Sequence, residues 1–350
     1  MSHMSTSQEM EQLMFNFDEK RYLGIQQGAV SIASNIDDAI RELLSDGATN
    51  IFFLGTGGAG LLMLPAAHLL QTQSTFPAFH LMPAELVFED NVHLGAHSIV
   101  VIPSRSGTTR ESIAALAFCQ AKGAKVLTFA CHADTPLAQE ADYSFVSFAE
   151  DDTSSELFYL QSLLVAASIM QARGEFPHYA DLVSELQQLP ALLIDVKRQY
   201  EDEAVRLAEV IESADYHIIS GAGSTWPEAF YYGMCILEEM QWIRTRPIHG
   251  SDFFHGTLEL VEDGVSVLIF KGEDQTRPLM DRVEEFARRY TEVVNVVDTA
   301  DMLTPGISPE TRALISPVLL AAVLERVNAH LEAKRDHPLT TRRYYNRVQY

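Results

Sequence analysis

One pattern recurs in this chain and constrains its fold more than any other: an apolar run meets a glycine-containing turn, and a helical pattern begins directly behind it. It occurs where Asn50–Leu54 runs into Gly55–Gly60 and again where Tyr216–Ser220 runs into Gly221–Ser224. A strand that passes the chain to a helix in this way opens a parallel βαβ unit, and uninterrupted apolar strands imply a sheet covered on both faces. Further strand patterns lie at Ala78–Met82, Ser98–Pro103, Lys125–Ala130, Tyr143–Phe148, Val265–Phe270 and Val293–Val297. Helical patterns lie at Ser31–Leu44, Leu61–Leu70, Arg110–Lys122, Pro227–Arg244, Arg277–Tyr290 and Pro309–Lys334. A long helical region from Ser155 to Ala214 is expected to break near Gly174–His178 and at Pro190. The expected fold class is α/β: two doubly wound, three-layer αβα domains with mostly parallel sheets.

The expected boundaries follow from this pattern. Residues 1–30 form an N-terminal tail or helix whose opening MSHM reads as a tag remnant; 31–175 form the first domain and 176–214 connecting helices; 215–335 form the second domain and 336–350 a C-terminal tail. Two domains also suit 350 residues, since domains commonly hold roughly 100–200.

Composition narrows the partners. The net charge of −23 opposes binding to a polyanion, so nucleic acid is not expected. The most apolar stretch, LLMLPAAHLL, breaks at Pro65 and His68, short of the roughly 18 apolar residues a membrane span needs. The N-terminus lacks a basic, then apolar, signal pattern, so no membrane partner and a cytoplasmic location are expected. Cys119, Cys131 and Cys235 form no C-x-x-C pair, which suits buried, reduced thiols.

Two turns are candidates for holding an anion. FLGTGGAG follows a strand and opens a helix, leaving backbone N–H groups at Gly57 and Gly58 open to a phosphate. The spacing of Gly55, Gly57 and Gly60 also meets a dinucleotide fingerprint, but Ala78–Met82 carries no carboxylate for a ribose. A turn needed only for packing is the alternative. In VVIPSRSGTTRES, Ser104, Ser106, Thr108 and Thr109 place four hydroxyls around Gly107 before a helix, with Arg105 between them. Hydroxyls and helix-terminal amides hold a phosphate without a metal. A capping box, Thr108 with Glu111, accounts for one of the four.

Glu239 lies one helical turn after Cys235 and Ile236 and one turn before Trp242 and Ile243, so it projects from an apolar face. Burial there raises a carboxyl pKa toward that of a base working near neutral pH. The alternative is a carboxylate paired with an arginine such as Arg244. Glu238 points about 100° away and is expected to be solvated and dispensable. His255, beside Phe253, Phe254 and Gly256, reads on its own as a core histidine before it reads as a catalytic one.

Together these motifs resemble the sugar isomerase (SIS) family, which includes the isomerase half of glucosamine-6-phosphate synthase and the bacterial deglycases of phosphorylated fructosamines. The stretches around Glu85 (MPAELVFED) and at Ala133–Phe145 are similar to family segments, and the ending HPLTTRRY resembles the deglycase tail. This chain departs from the common pattern at Ala59, Ser251-Asp252 and Thr257. The resemblance implies that Ser104, Ser106 and Thr109 hold a sugar phosphate, that Glu239 is the general base and that His255 assists ring opening. It also implies supporting contacts from Glu85 and Ser224 and a wall from Arg342 and Tyr344. The implied activity is cleavage of a 6-phosphorylated sugar–amine substrate, such as fructoselysine or glucoselysine 6-phosphate, by a homo-oligomer with no metal and no other cofactor. An aldose–ketose isomerase, an aminosugar-phosphate deaminase and a noncatalytic sugar-phosphate sensor remain open alternatives.

Overall fold

The computed structural model describes residues 14–149, 154–345 and 347–349. The expected tag remnant lies outside the described residues. Two helices, α1 (Glu19–Ser31) and α2 (Ala33–Ser45), precede β1 (Asn50–Leu54), α3 (Gly57–Leu61), α4 (Leu64–Gln73), β2 (Ala78–Leu81) and α5 (Pro83–Glu89). The first half is completed by β3 (Ser98–Ser104), α6 (Arg110–Ala121), β4 (Lys125–Ala130), α7 (Pro136–Glu140) and β5 (Tyr143–Val146). Two long helices, α8 (Glu156–Ala172) and α9 (Tyr179–Ser213), lead to β6 (Tyr216–Gly221) and α10 (Trp226–Tyr231), which continues as a π-helix over Tyr232–Met240. The chain then forms β7 (Arg244–His249), β8 (Ser266–Lys271), α11 (Arg277–Ala287), β9 (Val294–Asp298) and α12 (Pro309–Arg335).

The strands build two parallel sheets, in the orders β2-β1-β3-β4-β5 and β7-β6-β8-β9. In each, the first strand lies between its successor and the strand after that, so the winding reverses between β1 and β3 and between β6 and β8. Ligands of open α/β sheets bind outside the carboxyl ends of the strands at such a reversal. The glycine turn follows β1 and the hydroxyl turn follows β3, so the topology sets both at one crevice.

Strand residues alternate between two cores. Ile51, Phe53, Val101 and Leu127 of the first sheet share one cluster with Ile219, Leu268, Phe270 and Val297 of the second. Phe52, Val100 and Ile102 face a separate core on the first sheet's outer side, and Ile218, Val267 and Ile269 another on the second's. The inner faces of both sheets therefore meet the same central helices. Among these is α12, long, apolar and mostly buried inside the fold.

Three expectations are corrected. Pro190 does not break the helical region: α9 runs unbroken through it for 35 residues. A mid-helix proline costs about 3 kcal/mol, offset here by burial of Leu186, Leu189, Leu193 and Ile194 on either side and by packing along α12. The helix expected to reach Arg244 ends at Met240, and Arg244 opens β7, a strand that the pattern RTRPIH hides. This strand is at the sheet edge, where Pro247 is tolerated. The helix expected to begin at Ser31 begins after a break, Ser31 being the last residue of α1.

Candidate active site

The glycine turn is shaped by close packing. A Cβ on Gly55 would lie 2.4 Å from Gly60 Cα, and one on Gly58 would lie 2.7 Å from the Tyr231 ring and 3.6 Å from Cys235 Sγ. Gly57 has φ +61°, the left-handed region that glycine enters at no cost. Gly58 thus presses the turn onto the helix that carries Glu239. Glu239 lies further along this same helix, near the end of its π segment.

In the adjoining turn, Ser104 is buried and its Oγ accepts from Gly107 N–H at 3.0 Å, so this hydroxyl shapes the turn. Ser106 Oγ accepts from Thr108 N–H at 3.3 Å and lies 3.4 Å from Thr109 Oγ1. Gly107, at φ +61°, has no room for a Cβ, which would sit 2.1 Å from Thr135 Oγ1. The N-cap of α6 is Thr109 rather than Thr108, and its side chain makes no cap hydrogen bond. The capping-box alternative is therefore absent. Ser106 and Thr108 are exposed, and Arg105 and Thr109 half-buried, before the free amides of α6.

Glu239 stands on the wall of a cavity of about 1090 Å³ formed by the end of the π-helix, the start of β6 and β7, and the C-terminal tail. Its side chain is 34% exposed, and Oε1 lies 2.9 Å from Arg342 Nε. The expectation of a carboxylate poised by apolar burial alone is corrected: the tail supplies an arginine, Arg342 and not Arg244. Arg342 is itself fixed by the carbonyls of Leu339 and Thr341, at 2.6 and 3.0 Å. The tail docks through Trp242, whose ring meets the His337 ring and lies 3.9 Å beneath the Arg343 guanidinium. Gln241 Nε2 also donates to the His337 carbonyl at 2.8 Å. Trp242 adopts φ +57°, which turns the chain out of the π-helix and presents the indole to the tail. Tyr344 lines the same cavity.

Glu238 is exposed as expected, yet it lines this cavity beside Glu239. A π turn closes i→i+5 bonds and is wider than an α turn, which reduces the angle between successive side chains. Sequence reasoning at 100° per residue missed this, and it also missed Trp242 and Tyr216 on the cavity wall.

Other expected site residues lie elsewhere. His255 is exposed in the loop beyond the carboxyl end of β7, whereas Glu239 precedes its amino end. Six strand residues separate the two ends by about 16 Å, so one chain does not bring Glu239 and His255 together. Glu85 is exposed on α5, one strand out from β1. Ser224 lies at the second sheet's reversal point, in another cavity of about 960 Å³. Both its N–H and its Oγ donate to Asp274 Oδ2, at 2.9 and 2.5 Å. Thr276 N–H and Oγ1 donate to Asp274 Oδ1 at 2.8 and 2.5 Å. Burial alone would raise the Asp274 carboxyl, but these bonds outweigh it and hold its pKa below the usual range. Ser224 is thus already committed to an internal anion.

Residues 44–171 match the SIS domain family. The chain is 28% identical over 328 residues to the fructosamine deglycase FrlB of Bacillus subtilis (strain 168), covering 93% of this chain and 100% of the relative. It is 26% identical over 306 residues to the fructoselysine 6-phosphate deglycase of Escherichia coli (strain K12), covering 87% of this chain and 88% of the relative. A solved structure of a phosphosugar isomerase candidate from Bacillus subtilis superposes with a TM-score of 0.83 at 28% identity, covering 91% of this chain and 99% of that one.

Proposed function

Residues 44–171 are a SIS domain, and from that premise we propose that this enzyme is a deglycase splitting a 6-phosphorylated sugar–amino acid conjugate into hexose 6-phosphate and free amino acid. The observation that carries the reading is Glu239, on the helix that Gly58 packs against and ion-paired to a tail arginine at the wall of a ligand-sized cavity. Relatives that bear deglycase names along nearly their whole length support the reaction class.

In this mechanism Ser106, Thr108 and Thr109, with the amides of Gly57, Gly58 and the α6 start, hold the phosphate dianion, and Ser104 shapes the turn. Arg105 flanks them. Glu239 takes the C1 proton of the open-chain ketosamine and returns a proton at C2, converting the C1–N bond to an imine, which water hydrolyses to aldose phosphate and amine. The adjacent carbonyl acidifies that proton, and a positioned base contributes about 10²–10⁴-fold. His255 opens the sugar ring. Because it lies at the far end of β7 from Glu239 in its own chain, it serves the Glu239 of a second copy, and the working unit is a homo-oligomer. A cytoplasmic setting, supported by three buried free thiols, completes the proposal.

Product analysis tests it. The purified chain, given fructoselysine and glucoselysine 6-phosphates, is expected to release lysine and a hexose 6-phosphate in equal amounts. Ammonia as the nitrogen product would assign a deaminase instead, interconversion of hexose phosphates alone an isomerase, and binding without turnover a sensor.

A further inference from the structure

The cavity at Glu239 carries more charge than proton transfer uses, and the charges differ in how they are compensated. Glu239 has Arg342 as its counter-ion. Glu238 makes no ion pair among the described residues; Thr245 Oγ1, a neutral donor, reaches it at 2.6 Å, which orients the carboxylate without balancing its charge. Arg244, exposed at the start of β7, makes no ion pair among the described residues. Arg343 is likewise without a carboxylate among them and rests on the Trp242 ring at 3.9 Å. One cavity of about 1090 Å³ therefore exposes one oriented negative group and two cationic ones, between the aromatic walls of Tyr216, Trp242 and Tyr344. A wall bearing both signs fits a ligand that also carries both.

We propose that Glu238, Arg244 and Arg343 form a subsite for a zwitterionic amino-acid head, so that the preferred substrate is joined to the sugar through a side-chain amine and keeps its α-ammonium and α-carboxylate free. The inference rests on the deglycase reading and deepens it by naming the linkage. Glu238 receives the α-ammonium, and Arg244 and Arg343 receive the α-carboxylate. A conjugate joined through the α-nitrogen has no free α-ammonium to offer Glu238. These three are specificity residues and take no part in the proton transfer.

Three fructosamine 6-phosphates separate the two charges: those of L-lysine joined through Nε, of 6-aminohexanoate, which lacks the ammonium, and of cadaverine, which lacks the carboxylate. Affinity is followed by quenching of tryptophan fluorescence, since Trp242 lines the cavity, and turnover by hexose 6-phosphate release. A hydrogen bond to a charged group accounts for about 10–100-fold, so the lysine conjugate is expected to exceed each of the others by that factor in both readouts. Glu238→Gln is expected to abolish the ratio between the lysine and 6-aminohexanoate conjugates, and Arg244→Gln with Arg343→Gln the ratio between lysine and cadaverine. A purely structural role would lower all three together and keep the ratios. Equal affinity of wild-type protein for the three conjugates overturns the subsite, with no variant needed. Discrimination in fluorescence with no hexose 6-phosphate formed would sink the deglycase chemistry and leave the subsite standing.

Discussion

Replacing Glu239 by Gln separates chemistry from structure because the two consequences differ in size. Glutamine keeps the length of the side chain and a carbonyl oxygen for Arg342, but it cannot accept a carbon-bound proton. Loss of a positioned base lowers kcat by about 10²–10⁴-fold, equivalent to ~2.7–5.5 kcal/mol in the barrier. The structural cost is smaller. With Glu239 34% exposed, an ion pair of this kind contributes about 0–1 kcal/mol. Arg342 also keeps its bonds to the carbonyls of Leu339 and Thr341, so no buried cation is left bare. Thermal unfolding should shift by no more than about 2–4 °C, too little to deplete the folded protein at assay temperature. The assay measures lysine release from Nε-fructosyl-lysine 6-phosphate, together with exchange of the C1 hydrogen with deuterated solvent by NMR. Both should fall by the same factor while the affinity for substrate stays within a few-fold. A folded Glu239→Gln protein that binds the conjugate and exchanges C1 hydrogen at the wild-type rate would refute the assignment.

The remaining expectations are briefer. Ser106→Ala with Thr109→Ala should raise KM by about 10–100-fold per lost charged hydrogen bond with a smaller effect on kcat, and an unphosphorylated conjugate turned over equally well would count against the phosphate site. Two inactive chains, one Glu239→Gln and one His255→Asn, should regain activity when unfolded and refolded together, because one mixed site then holds both native groups; no recovery would place the histidine's role elsewhere. EDTA should leave turnover intact, and a loss restored by a divalent ion would contradict proton transfer by side chains alone. Burial raises the Glu228 carboxyl from 4.5 to about 8, with the Tyr159 hydroxyl bond opposing the rise. Native Glu228 therefore keeps a proton that the unfolded chain releases above pH 4.5, and its contribution to stability is lost as pH rises to about 8. Glu228→Gln should flatten that part of the wild-type stability profile, and an unchanged slope in denaturant titrations would argue against a protonated Glu228.

Much of the scaffold was legible because it is written in uninterrupted apolar strands. Ile51–Leu54 and Ile99–Ile102 are buried on both faces, so their sequences carry no competing polar signal. β7 was not legible: RTRPIH alternates charge with small or apolar residues and contains a proline, and only its edge position beside β6 explains it as a strand. The hydroxyl turn was recognisable since its residues are contiguous. The cavity was not, since it joins the π-helix end to a tail about a hundred residues further on. Its geometry depends on a π register and a positive φ at Trp242, neither of which has a sequence signature at this position.

The second reversal point gives the two-sheet architecture an asymmetric stoichiometry. Between β6 and β8 the carboxylate of Asp274 already receives four donors from Ser224 and Thr276. A phosphate dianion entering there would have to displace a carboxylate that its surroundings keep ionised, against like-charge repulsion at contact distance. A calorimetric titration with hexose 6-phosphate should therefore saturate at one equivalent per chain, although the fold presents two crevices of the same topology. The second crevice has the topology of a binding site and is filled from within, by a carboxylate of the chain itself.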